Sequence, residues 1–143
     1  MIECFEYYLT ANLVRKQKAD KEEAKYLMKK AVHRLNYIKK QEIKEDTASF
    51  IFEDIYESLR EASQSLMSLK ATNHILMKQL ISFLRDFYKF SGSDISTFDR
   101  FRVLRNKTVY SAVWVSVEVC QDALAFLEDF LPKLSKEFEN SNV

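Results

Sequence analysis

The stretch Ala48 to Leu69 reads ASFIFEDIYESLREASQSLMSL, and its apolar positions Ala48, Ile51, Ile55, Leu59, Ala62, Leu66 and Leu69 recur about every 3.5 residues. Such a period places them along one stripe of a helix. A spacing near the heptad also suits packing against a nearly antiparallel neighbour. That neighbour lies just upstream, where Ala24, Leu27, Met28, Ala31, Leu35 and Ile38 recur every three or four residues. Asp20 with Glu23 forms a capping-box pattern at its start, offering oxygens to the orphan N–H groups of a first turn. The polar stretch Lys39 to Glu45 joins the two helices into a hairpin. A coiled coil would carry the same stripe, but Ala48 to Leu69 holds only three heptads and further apolar segments follow. The pattern therefore predicts a bundle.

Outward from the hairpin, Ile2 to Val14 is apolar and aromatic (Phe5, Tyr7, Tyr8, Leu9, Leu13) and is expected to form a short helix before the polar stretch Arg15 to Ala19. Downstream, a turn at Ala71 to Asn73 leads to a helix from about His74 to Tyr88, with Leu76, Leu80, Phe83, Leu84 and Phe87 inward. Ser91, Gly92 and Ser93 hold the chain's single glycine and mark a loop. Ser96 with Asp99 repeats the capping-box pattern, so a fifth helix is expected from about Thr97 to near Tyr110. Three of the five residues from Ser111 to Val115 are β-branched or aromatic, and Ser116 with Glu118 reads as a new cap. A sixth helix then buries Val117, Cys120, Leu124, Leu127, Leu131 and Leu134, fraying from about Glu137.

Composition agrees with this reading. One Gly and one Pro among 143 residues leave few turns, hence few and long elements. With 47% hydrophobic and 30% charged residues the chain is typical of globular proteins. A chain of this length buries roughly 70% of its unfolded surface and is expected to fold as one domain, residues 1 to 143. The net charge of +1 gives no global field for a nucleic acid or membrane, so a basic site must be local. Cys4 and Cys120 show no metal-binding spacing and read as two buried, reduced thiols. No metal site or cofactor motif emerges. The N-terminal apolar run is too short for a signal peptide or membrane span, which points to the cytoplasm.

The densest chemical cluster is Asp99 to Tyr110, DRFRVLRNKTVY, with the four cations Arg100, Arg102, Arg105 and Lys107 within eight residues. On a helix Arg102, Asn106 and Tyr110 fall four apart and share a face, while Phe98, Phe101, Leu104 and Thr108 face elsewhere. Cations near a helix C-terminus also offset the macrodipole, so periodicity alone leaves a solvated face as a sufficient account.

The segment FDRFRVLRNKTVYS, after a long helical hairpin, resembles the end of the fourth major helix of HEPN domains (higher eukaryotes and prokaryotes nucleotide-binding). Their signature is an arginine and a histidine separated by four to six residues, often with a polar residue directly after the arginine. Arg105, Asn106 and Tyr110 occupy these positions, with tyrosine in place of histidine. KADKEEAKYLMKKAVHRL, FEDIYESLREASQSLMSLKATNHILMKQLISFL and the final helix also resemble parts of archaeal and bacterial stand-alone members, so the resemblance spans nearly the whole chain. It implies an all-α, up-and-down, HEPN-like bundle of five to six helices. It further implies a homodimer that cuts RNA without metal in a composite cleft, with Arg105, Asn106 and Tyr110 as catalytic residues and Arg100, Arg102 and Lys107 binding RNA phosphate. On an ideal helix Arg105 and Tyr110 point about 140° apart, so they converge only if the helix ends between them or a second chain contributes.

Metal-free RNA cleavage needs a base for the 2′-OH, an acid for the leaving oxygen and a cation for the phosphorane. The guanidinium fork of Arg105 suits the last role. A histidine, with an ordinary pKa of about 6.5, serves as base or acid at neutral pH, whereas a tyrosine hydroxyl is almost fully protonated there and is a poor base. His74, expected at a helix start where the dipole favours the neutral imidazole, is a possible auxiliary base. His33 is expected on the surface. Lys21, Lys25 and Lys29 form a row that either tracks phosphates or is a solvated face. Several family members are toxins silenced by a minimal nucleotidyltransferase that modifies a tyrosine two residues beyond the histidine. The equivalent position here is Ala112. For this chain the resemblance implies a ribonuclease-like toxin or defence component, with a minimal nucleotidyltransferase antitoxin as its expected partner; the alternative function is a non-catalytic HEPN module that binds a nucleotidyltransferase or a nucleotide.

Overall fold

The structure is a computed structural model that describes residues 2–11, 14–16, 19–70, 72–74 and 76–141. Among them the order is α1 (Phe5–Thr10), β1 (Val14–Lys16), α2 (Lys21–Lys39), α3 (Ala48–Leu69), β2 (Thr72–His74), α4 (Met77–Tyr88), α5 (Gly92–Tyr110) and α6 (Val117–Ser141). The molecule is a helical bundle with one small antiparallel ribbon, in which Val14 faces His74 and Lys16 faces Thr72.

The α2–α3 hairpin is the spine. Asp20 caps α2 by accepting from the Glu23 N–H at 2.9 Å. Small residues let the two helices approach closely, and α3 serines use that proximity: Ser58 Oγ donates to the Ala31 carbonyl at 2.9 Å and Ser65 Oγ to the Ala24 carbonyl at 2.6 Å. Partner numbers fall along α3 as they rise along α2, so the hairpin is antiparallel. Helix α3 also packs against α4, α5 and α6. Being surrounded, it buries polar positions such as Ser63 and Glu61 as well as its apolar stripe. The Glu61 carboxylate is balanced by a two-pronged bond from Arg34 (2.8 and 3.1 Å) and by Lys30 at 3.5 Å.

Several local expectations need correction. Helix α1 spans Phe5–Thr10 rather than Ile2 to Val14, because Val14 pairs in the ribbon; Leu13 lies outside the described residues. His74 is in β2 and not at the start of a helix. Helix α4 begins at Met77, where the Gln79 side chain accepts from the Leu76 N–H at 2.8 Å. Thr72 and Asn73 belong to the same strand, and Ala71 lies outside the described residues. Leu76 is exposed as the cap of α4, and Phe87 is half-exposed although its ring meets Phe5 and Phe83. Helix α5 starts at Gly92, not Thr97. Ser91 accepts from the Asp94 N–H at 3.1 Å, so the earlier of two similar caps is used and Ser96 and Asp99 fall inside the helix. The preceding helix closes at Lys89, which takes a left-handed φ of 58°. Helix α6 continues past Glu137 to Ser141, with Val117 and Leu124 only half-buried. Cys120 is buried as expected, but Cys4 is exposed. No helix among the described residues is long and apolar enough to cross a membrane.

Candidate functional site

Helix α5 carries the candidate cluster, and its position follows from three buried residues, Ile95, Phe98 and Phe101. Phe101 meets Phe52 of α3 edge-on at 6.0 Å between centroids, and Phe98 meets Tyr56 at 6.3 Å. Phe126 and Phe130 of α6 close the other side of Phe98. Near its N-terminus, Asp94 is held by Lys133 at 2.9 Å. The C-terminal third has fewer anchors: Leu104 packs against the core, and the Thr108 hydroxyl donates to the Arg105 carbonyl at 2.7 Å.

The candidate residues divide among three directions. Arg102 and Arg105 turn towards α3. Arg102 donates its Nε–H to Asp99 at 2.6 Å. Arg105 is half-buried, with its guanidinium carbon 5.8 Å from the centre of the Tyr56 ring, a cation–π arrangement. Arg102, Arg34, Arg60 and Arg85 are each paired with a carboxylate, whereas the half-buried Arg105 and the exposed Arg100, which lies over the Phe101 ring, make no such ion pair among the described residues. Arg100 and Lys107 instead line a shallow groove towards α6 with Val103, Leu104, Val119 and Asp122. Asn106 and Tyr110 point outward, and the Tyr110 side chain is 79% exposed. Since α5 stays helical through Tyr110 and is capped at Ser111, Arg105 and Tyr110 of one chain do not converge.

Two α3 residues that sequence reading passed over set the surroundings of Arg105. Burial pushes the Tyr56 hydroxyl up, with the Arg105 and Arg102 charges pulling the other way. Burial also pushes the Glu57 carboxyl up, but its hydrogen bond from Arg60 and the charges of Arg60, Arg34 and Arg105 outweigh this and hold it below the usual range. Glu57 therefore stays a carboxylate in a field of three arginines. Tyr56 follows Ile55 of the apolar stripe, so only its flanking place on the helix pointed to it.

The other candidates lie apart. His74 sits in the ribbon, which removes the helix-start argument for its neutral form. His33, Lys21, Lys25 and Lys29 are exposed on α2. Ala112 takes a left-handed φ of 53° just beyond α5, and the exposed aromatics Trp114 and Phe50 stand nearby, lining one depression with Val113. Comparison with family models, curated proteins and solved structures finds no match to this chain.

Proposed function

We propose that this chain is a HEPN-type RNA-binding protein that works as a homodimer, with metal-independent endoribonuclease-like chemistry held low by Tyr110. The observation that carries the reading is Arg105: half-buried, over the Tyr56 ring and with no direct carboxylate ion pair among the described residues, Glu57 acting on it only through space, it keeps a guanidinium fork for a phosphate. A partly desolvated guanidinium stabilises developing phosphorane charge better than a fully solvated one. Asn106, exposed and pointing outward with Tyr110, supplies a donor to a non-bridging oxygen from the Tyr110 side of the cleft. In the cleavage step the 2′-oxygen loses its proton and bonds to phosphorus, the bond to the 5′-oxygen breaks, and that oxygen takes up a proton. Tyr110 suits the proton-donating half of this exchange. The base half is what the histidine-to-tyrosine difference weakens, at a cost of roughly 10²- to 10⁴-fold. Because Arg105 and Tyr110 diverge within one chain, the working cleft takes one from each copy.

The test is cleavage of single-stranded RNA in EDTA by the native chain, Arg105→Ala and Tyr110→His. Weak native cleavage, loss in Arg105→Ala and a gain of about a hundredfold in Tyr110→His, peaking near the histidine pKa of about 6.5, are expected. Undiminished cleavage by Arg105→Ala overturns the assignment. RNA binding without cleavage in either the native chain or Tyr110→His assigns the non-catalytic form of the module.

A further inference from the structure

From the surface around Trp114 we infer a docking site for a cationic protein segment, one carrying arginine or lysine beside an apolar residue. Trp114 is 72% exposed and Phe50 63% exposed, and with Val113 they line one depression, so their apolar surface meets water as a patch rather than singly. The backbone segments that carry them are tied together. Val115, next to Trp114, is buried and its N–H is fixed to Ser49 Oγ at 2.8 Å, and Ser49 directly precedes Phe50. The turn that presents Trp114 contains Ala112 at a left-handed φ of 53°, a conformation uncommon for a non-glycine residue. With only two side-chain torsions each, Trp114 and Phe50 lose little entropy when covered, as interface anchors do.

The charges around these rings choose the partner. Trp114 forms one wall of an open groove of about 940 Å³, with Lys44, Glu45 and Asp46 from the α2–α3 connection and Glu118 from the first turn of α6. The adjoining depression under Phe50 adds Glu53. Lys44, the only cation in these two linings, is within 3.6 Å of Glu42. Four exposed carboxylates thus ring two exposed aromatics on a chain whose net charge is +1. Phosphate, whether of RNA or of an anionic lipid, is repelled there. A guanidinium stacks on the indole face and pairs with the rim carboxylates, while the apolar neighbour covers Phe50 and Val113. This site is separate from Arg105 and does not depend on the RNA reading.

Trp114 is the only tryptophan in the sequence, so its emission reports the site directly. The full chain is titrated at low salt with a short peptide alternating arginine and leucine, with the same peptide carrying glutamate for arginine, and with oligouridylate. A saturable emission change with the arginine peptide alone is expected, weakened about tenfold in the double variant Asp46→Asn, Glu118→Gln, both being exposed positions. Calorimetry with Phe50→Ala, in which the tryptophan probe is intact, should show a similar loss. The inference is overturned by the absence of a saturable response, by equal affinity in the double variant, or by oligouridylate producing the stronger change. Emission that depends on protein concentration but not on the peptide assigns the face to a second copy of the chain and overturns it as well.

Discussion

Arg34 of α2 and Arg105 of α5 show how differently one residue type behaves within one bundle. Arg34 is committed to Glu61, whose side chain is 1% exposed, so the pair is structural. Removing Arg34 strands a buried carboxylate with only the looser Lys30 at 3.5 Å. Arg34→Ala is therefore expected to destabilise by about 3 kcal/mol, measured by urea unfolding, whereas Arg34→Lys should recover part of the loss. Arg105 rests on an aromatic ring rather than an acid, and its guanidinium charge is not cancelled by contact. Its replacement should cost little stability and fall on RNA handling instead. On the proposed function, a stability loss at Arg34 set against an activity loss at Arg105 would separate a fold-holding cation from a ligand-holding one.

At the scale of elements, the two capping patterns around α5 give a direct comparison. Ser91 holds the first turn and Ser96 does not, so Ser91→Ala should lower stability by about 1 kcal/mol while Ser96→Ala leaves the thermal midpoint nearly unchanged. Both serines precede an aspartate by three residues, and local sequence does not tell them apart. What decides is that the preceding helix has already closed at Lys89, leaving Ser91 free to begin the next. The hairpin was legible because its stripe and the Asp20 cap are local properties of the chain. The ribbon was not, since it pairs triplets more than fifty residues apart, and missing it misplaced His74. For the candidate site, helical spacing already showed that Arg105 and Tyr110 diverge. The Tyr56 ring beneath Arg105 belongs to another helix and becomes visible only in the packed molecule. Phe50 and Trp114 went unremarked because an isolated outward aromatic leaves no periodic trace.

Across the whole molecule, the N-terminal segment is tied to the bundle by the buried Phe5 and Tyr8 and by the polar pair Arg85 and Asp86. Asp86 accepts the Phe5 N–H at 2.8 Å, and Arg85 donates to the Glu3 carbonyl at 3.0 Å while its Nε–H bonds Asp86. Burial pushes the Asp86 carboxyl up, but the Arg85 bond and the Phe5 N–H outweigh it and hold it below the usual range. A depressed folded pKa gives stability that is complete above the unfolded value of about 4 and is lost as pH falls through the folded one. Unfolding midpoints followed from about pH 6 to about pH 3 should fall for the native chain, and Asp86→Asn should start lower and change less over that range. The α2–α3 spine is constrained in another way. Its two serine-to-carbonyl bonds lie seven residues apart on both helices and act as paired pegs in paired slots. Sliding one helix along the other by a turn, about 5.4 Å, would break both bonds together and set one of the serines against Leu27 or Met28 in place of an alanine. The hairpin is thus a ruler of fixed register, and any movement that accompanies binding at α5 or beside Trp114 has to be carried by tilting of those outer parts against it.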